Sequence, residues 1–261
     1  MLPMNKNETK TFIVIGAGNM ASYLLSHQPP AFTCLGIYSR TADKATLLSQ
    51  QFGVPHLNSL SDIAATPVDY IFLAVSDTAI PSLLHSVATT ALFISFSGMV
   101  DEQQLAVASN KSIASLWPLY SINNAIKRPT TTIPFVINRE DKKHVKALHQ
   151  LALFYTTQVI ELSYEQRKAA HLAAVVLNNF VNHLYAVTQA FCEEHQIDPL
   201  ILNPLVQQTA AQYETLNAAH MQTGPAIRGD QDSIQKHLEI LQNSHLESIY
   251  TLLTESIKKS S

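Results

Sequence analysis

The stretch Thr11-Phe12-Ile13-Val14-Ile15-Gly16-Ala17-Gly18-Asn19-Met20-Ala21 decides the fold. Five β-branched or aromatic residues make a short apolar strand, and Gly16-x-Gly18-x-x-Ala21 then turns the chain into a helix expected from Asn19 to about Ser26. Glycine at 16 permits a tight turn. Glycine at 18 leaves backbone N–H groups open to a diphosphate, and the small Ala21 lets the helix pack closely on the strand. Gly16, Ala17, Gly18, Asn19 and Met20 are therefore candidate dinucleotide-binding residues. The plainer alternative is a strand-to-helix turn without a ligand, and the position at the head of a βαβ series argues against it.

The end of the second strand selects the nucleotide. A fold for NAD usually places Asp or Glu there to accept from the ribose hydroxyls, but this chain reads Tyr38-Ser39-Arg40-Thr41. Arg40 suits a 2′-phosphate, with Ser39 and Thr41 donating hydroxyls, so NADP is expected over NAD. The competing possibility is that Ser39 or Thr41 only caps the next helix. A methyltransferase, which also wants an acidic residue at this point, is disfavoured. Two further strand ends reach the expected crevice, Ala74-Val75-Ser76-Asp77 and Ser97-Gly98, and each has a capping alternative.

Outward from this motif, strand-like and helix-like segments alternate up to about residue 160. Strands are expected at 11–15, 34–38, 68–75, 91–96, 112–117, 132–138 and 157–162. Near Ser163 the texture changes to helical periodicity throughout. The expected organisation is a dinucleotide-binding domain over 1–162 and an all-helical domain over 163–261. Helix starts are expected at Asp198-Pro199, at Asn203-Pro204 and at Ser244-His-Leu-Glu247, the last with capping-box spacing.

With 261 residues and 46% hydrophobic content, the chain has room for two domains. The net charge is −3, and basic residues cluster no further than Lys142-Lys143 and Lys258-Lys259, which argues against nucleic acid. Two cysteines, Cys34 and Cys192, lack metal or disulfide spacing and fit a reducing cytoplasm. The first ten residues carry no apolar signal core.

Residues Ala169 to Cys192 contain no Asp, Glu, Lys or Arg. His171, His183, Asn178, Asn179, Asn182 and Gln189 would be costly in hydrocarbon, so a buried helix is expected rather than a membrane span. On a helical wheel His171, Asn178, Asn182 and Gln189 fall within about 40° of one another. This uncharged stripe points to a cavity, a subunit interface or a satisfied buried network. Two of the seven glycines lie in Gln222-Thr223-Gly224-Pro225-Ala226-Ile227-Arg228-Gly229-Asp230. Thr223, Arg228 and Asp230 are candidates to bind a carboxylate or carbonyl compound. Alternatively Asp230 caps the next helix and Arg228 pairs with it.

The GAGNMA…SRT pattern resembles the cofactor domain of pyrroline-5-carboxylate reductases and deazaflavin-dependent NADP oxidoreductases. The run Arg167-x-x-x-His171-x-x-Ala174-x-x-x-Asn178-Asn179-Phe180, with Gln222 to Asp230 and His237-Leu238, resembles the domain-of-unknown-function 2520 family, in the 6-phosphogluconate dehydrogenase-like superfamily. The resemblance implies a Rossmann α/β fold, a doubly wound and mostly parallel sheet followed by an all-α domain, and an NADP-dependent oxidoreductase that dimerises through its helical domain. The Lys-x-x-x-Asn helix motif of related dehydrogenases is absent, His171 standing where its lysine would. So is the Ser-Gly-x-Gly-Pro segment of the proline-forming reductases.

The combined expectation is reduction of a small carbonyl or imine compound by NADPH. His171 is the candidate proton donor, Asn178 or Asn179 would orient the substrate, and Arg228 would hold an anionic group. No metal is expected. The alternative is a non-catalytic NADP(H)-binding sensor or assembly protein, motivated by the missing lysine.

Overall fold

In a computed structural model, the structure describes residues 9–123, 133–213, 218–242 and 244–259. The first unit is a seven-stranded sheet: β1 Lys10–Ile15, β2 Phe32–Tyr38, β3 Tyr70–Leu73, β4 Leu92–Ser95, β5 Ile113–Pro118, β6 Phe135–Asn138 and β7 Val159–Leu162. Every expected strand is present, although Thr132 of the sixth segment lies outside the described residues. The helices between them are α1 Asn19–Ser26, α2 Ala42–Phe52, α3 Leu60–Ala65, α4 Ile80–Ser86, α5 Glu102–Ser109 and α6 Val145–Ala152, and α7 Tyr164–Ala174 follows β7.

The strand order is β2-β1-β3-β4-β5-β6-β7, parallel except where β5 meets β6. From β1 the chain winds outward to β2 and then returns to place β3 on the other side. The carboxyl ends of β1 and β3 thus flank the topological switch point. Alternation within each strand splits the core between the two faces of the sheet. Phe12, Val14, Phe72, Ile94 and Leu116 pack on one side, and Ile13, Ile15, Ile71, Leu73 and Phe93 on the other. Covered on both faces, these strands read as continuous apolar runs.

The amino-terminal edge of β1 and β3 is fastened by Asp69. Its carboxylate accepts from Thr11 N (2.8 Å), Thr11 Oγ1 (3.1 Å) and Lys10 Nζ (3.2 Å). Burial pushes the Asp69 pKa up, but the Thr11 N–H and the Lys10 ammonium outweigh it and hold the carboxyl below its ordinary range.

The chain divides into compact units at Val175/Val176, beyond the change of texture at Ser163. The reason is α7. A capping box joins Ser163 and Gln166 at its start, and the fully buried Arg167 ties it to the sheet unit through Glu102, at 2.5 Å.

The second unit contains α8 Val181–Glu194, α9 Asn203–Tyr213, α10 Pro225–Arg228, α11 Gln231–Ile240 and α12 Leu246–Lys259. Asp198 caps a 3-10 turn by accepting from Leu200 N, and Asn203 follows that turn directly as the first residue of α9 rather than its cap. Ser244 Oγ accepts from Leu246 N at 3.2 Å and the Ser244 carbonyl accepts from Glu247 N at 3.1 Å, so Ser244 anchors the turn that leads into α12.

The expectation of a buried helix over 169–192 is corrected. Within that span only Cys192 is buried, and Leu172, Val176, Leu177, Phe180 and Tyr185 are exposed. Lack of charge signals a surface that avoids charge, not one that this chain itself covers. No helix among the described residues is long and apolar enough to cross a membrane.

Candidate functional site

Gly16 shows why the first loop has its sequence. Its φ is +119°, which strains any side chain, and an added Cβ would lie 2.0 Å from the Ala74 carbonyl oxygen. Only glycine lets the end of β1 pass so close to the end of β3. Gly18 occupies the N-cap position of α1 with no side-chain cap, and a Cβ there would meet nothing within 4 Å. The first-turn amides of α1 thus open onto space that a ligand's oxygens can use.

That space is a cavity of about 580 Å³. Its wall contains Gly16, Ala17 and Gly18 after the central strand β1, Ala74, Val75 and Ser76 after β3 on one side, and Ser39, Arg40, Thr41 and Lys44 after β2 on the other. The structure therefore brings most of the expected nucleotide contacts to one place. Ser39 Oγ accepts from Thr41 N at 3.2 Å, so this hydroxyl shapes the turn. Thr41 stands at the N-cap position of α2 without a side-chain bond, leaving its hydroxyl available.

Lys44 was not singled out in the sequence. Its signal was present: it falls one helical turn after Thr41, so α2 carries it back toward the end of β2. Neither Arg40 nor Lys44 enters an ion pair among the described residues. The site fits an extended, anionic nucleotide: open amides after β1, two cations after the neighbouring β2, and no carboxylate in its wall among the described residues.

Three other candidates are not among the residues that wall the cavity. Asn19 begins α1 directly after Gly18, and Met20 packs against the core. Ser97, beyond β4, donates to Asp77 Oδ2 at 2.7 Å, fastening two adjacent loops at the carboxyl edge.

His171, on α7, also belongs to the sheet unit. Its ring stands 5.6 Å from that of Trp117, at 44°, beside Gly98. The parallel strands β1, β3, β4 and β5 end on one edge, so His171 meets the sheet at the edge where the glycine loop lies.

In the second unit Asn178 and Asn179 are exposed and lie in a π-helical segment, Val175–Phe180. Such segments are rare and concentrate at functional positions. Arg228 ends α10, is 58% exposed, donates to the Thr223 carbonyl and lies 3.8 Å from Asp230. Asp230 caps α11 by accepting from Ser233 N (3.0 Å) and Ser233 Oγ (2.7 Å). These bonds, led by the Ser233 N–H, lower the Asp230 pKa. The loop uses both side chains locally. Among the described residues there is no cluster of three or more His, Cys, Asp or Glu that could hold a metal.

Sheet order, glycine loop and trailing helices define a Rossmann-like α/β fold followed by a helical domain. Residues 133–257 match the family described as Domain of unknown function (DUF2520), so the carboxyl-terminal region carries that domain. The match begins at β6, inside the sheet unit. Over 96% of this chain and 98% of its own, a Bacteroides fragilis protein described as a candidate NADP oxidoreductase superposes with a TM-score of 0.83 at 26% identity. An imine reductase from Myxococcus stipitatus in complex with NADP+ gives 0.68 at 14% identity, covering 96% and 93% of the two chains. A 1-pyrroline-5-carboxylate reductase from Streptococcus pyogenes gives 0.61 at 16%, covering 97% and 98%. At such identities the last two show the shared fold alone. A comparison with curated proteins finds no match.

Proposed function

We propose that this protein is an NADP(H)-dependent oxidoreductase that reduces a small carbonyl or imine compound. The observation that carries this reading is the cavity at the switch point, walled by Gly16 to Gly18 after β1 and by Arg40 and Lys44 after the neighbouring β2. The likeness to the Bacteroides fragilis protein supports it, and so does the shared fold of the imine reductase.

In this reading the α1 amides hold the diphosphate, and Arg40 with Lys44 holds the 2′-phosphate. Ala74, Val75 and Ser76 border the part of the nucleotide beyond the diphosphate, on the side of β1 away from Arg40. Asn19 and Met20 approach the nucleotide from the start of α1, and Ser97 from the loop after β4. Bound NADPH supplies a hydride to an electrophilic carbon. His171 donates the proton that the resulting oxygen or nitrogen requires. Asn178 and Asn179 orient the substrate from the π segment. Arg228 binds an anionic substituent by exchanging its Thr223 and Asp230 contacts for it.

The reading extends to assembly and location. The uncharged exposed face over 169–192 is covered by a second copy of the chain, giving a homodimer. Both cysteines are free and buried, which suits the cytoplasm.

The test is a thermal-shift titration with NADPH and NADH, followed by NADPH oxidation across keto acids and cyclic imines. Binding to the folded state raises stability by about 2.7 kcal/mol at a hundredfold excess over Kd. NADPH is expected to stabilise at lower concentration than NADH. No stabilisation by either nucleotide overturns the reading. Tight binding with no turnover across the panel favours a sensor over an enzyme.

A further inference from the structure

Arg167 is fully buried, and its partner Glu102 is 2% exposed. The guanidinium donates to both carboxylate oxygens, from Nη1 at 3.2 Å and Nη2 at 2.5 Å, and also to the Val100 carbonyl. Glu102 is held in turn by Ser115 Oγ at 3.1 Å and Asn138 Nδ2 at 2.8 Å. The loop after β4, the start of α5, and strands β5 and β6 thus grip a single side chain of α7.

One helical turn further, on the same face, stands His171. Its ring is set against Trp117, which is 7% exposed and pinned in β5 opposite Val136. Gly98 completes the enclosure. A methyl group added there would fall 2.7 Å from His171 Cδ2 and 2.8 Å from Trp117 Cε2. Gly98 has no positive φ, so the glycine is required for space. Trp117 is held by its strand and cannot yield, so any side chain at 98 displaces the imidazole.

We propose that Gly98, Trp117 and the buried Arg167–Glu102 pair form a seat that fixes the His171 imidazole at the carboxyl edge of the sheet. Arg167 and Glu102 are then positioning residues, acting through His171 without touching substrate. This rests on the reading of His171 as proton donor, but the geometry of the seat is tested without it.

Trp117 is the single tryptophan of the chain. Full-length protein labelled with 5-fluorotryptophan therefore gives one fluorine resonance, which senses the neighbouring ring and needs neither cofactor nor substrate. His171→Ala is expected to shift it. Gly98→Ala should shift it as well, and so should the neutral double variant Arg167→Met/Glu102→Gln, which avoids leaving a lone buried charge. Arg167→Lys, which keeps a cation opposite Glu102, should restore part of the wild-type position. On any panel compound the wild type reduces, Gly98→Ala and the double variant should lower kcat on the order of 100-fold with NADPH binding retained.

A wild-type resonance in both Gly98→Ala and the double variant overturns the seat, and Gly98→Ala alone decides if the double variant does not fold. If the resonance moves as stated while neither nicotinamide nucleotide stabilises the wild type, the seat stands and the reductase reading falls.

Discussion

Single residues carry the nucleotide site. At Gly16 two independent costs coincide, a positive φ and a backbone oxygen 2.0 Å from where a Cβ would stand. Gly16→Ala is therefore expected to lower stability by roughly 1–3 kcal/mol and to abolish the thermal shift with NADPH. Urea unfolding with and without the nucleotide checks both. After β2, Arg40→Ala should weaken NADPH binding about 10- to 100-fold, the worth of a hydrogen bond to a charged group, while leaving NADH binding unchanged. Isothermal titration with the two nucleotides measures it. Lys44→Ala should act in the same direction, because both cations border the cavity after β2.

Elements hold these residues in register. Asp69 joins β1 to β3 just where the sheet must stay closed for the switch point to exist on the opposite edge. Its carboxyl is held below the ordinary aspartate range. A lowered folded-state pKa contributes stability above the unfolded value and loses it as pH falls through the lowered one. Asp69→Asn should therefore lower the urea midpoint at neutral pH, and the gap from wild type should close on acidification below the ordinary aspartate range. An unchanged gap at acid pH would assign the effect to packing and not to charge. Ser59 with Asp62 and Ser163 with Gln166 form full capping boxes, each satisfying two backbone N–H groups where its helix begins.

At the scale of the whole molecule, the helix over 169–192 exposes apolar and amide side chains with no charge among them. A second copy burying this face accounts for both features. Phe180→Glu places a carboxylate in that face and is expected to convert a dimer to a monomer in light scattering coupled to size exclusion. A wild type that is monomeric at all concentrations would remove the dimer from the proposed function.

The strand-glycine-helix run, the seven strand segments and the Ser39-Arg40-Thr41 turn were legible because they rest on local physics. These are side-chain periodicity, φ preference and the charge at one strand end. The sequence could not show that 169–192 lies on the surface, because an uncharged helix reads the same whether its own chain or another covers it. Arg167 on Glu102 at a separation of 65 residues, and the imidazole of His171 on Trp117 and Gly98, were decided only by the tertiary structure. Each joins residues far apart along the chain or in different elements, and such pairings are set by how the sheet and helices pack, which no local pattern encodes.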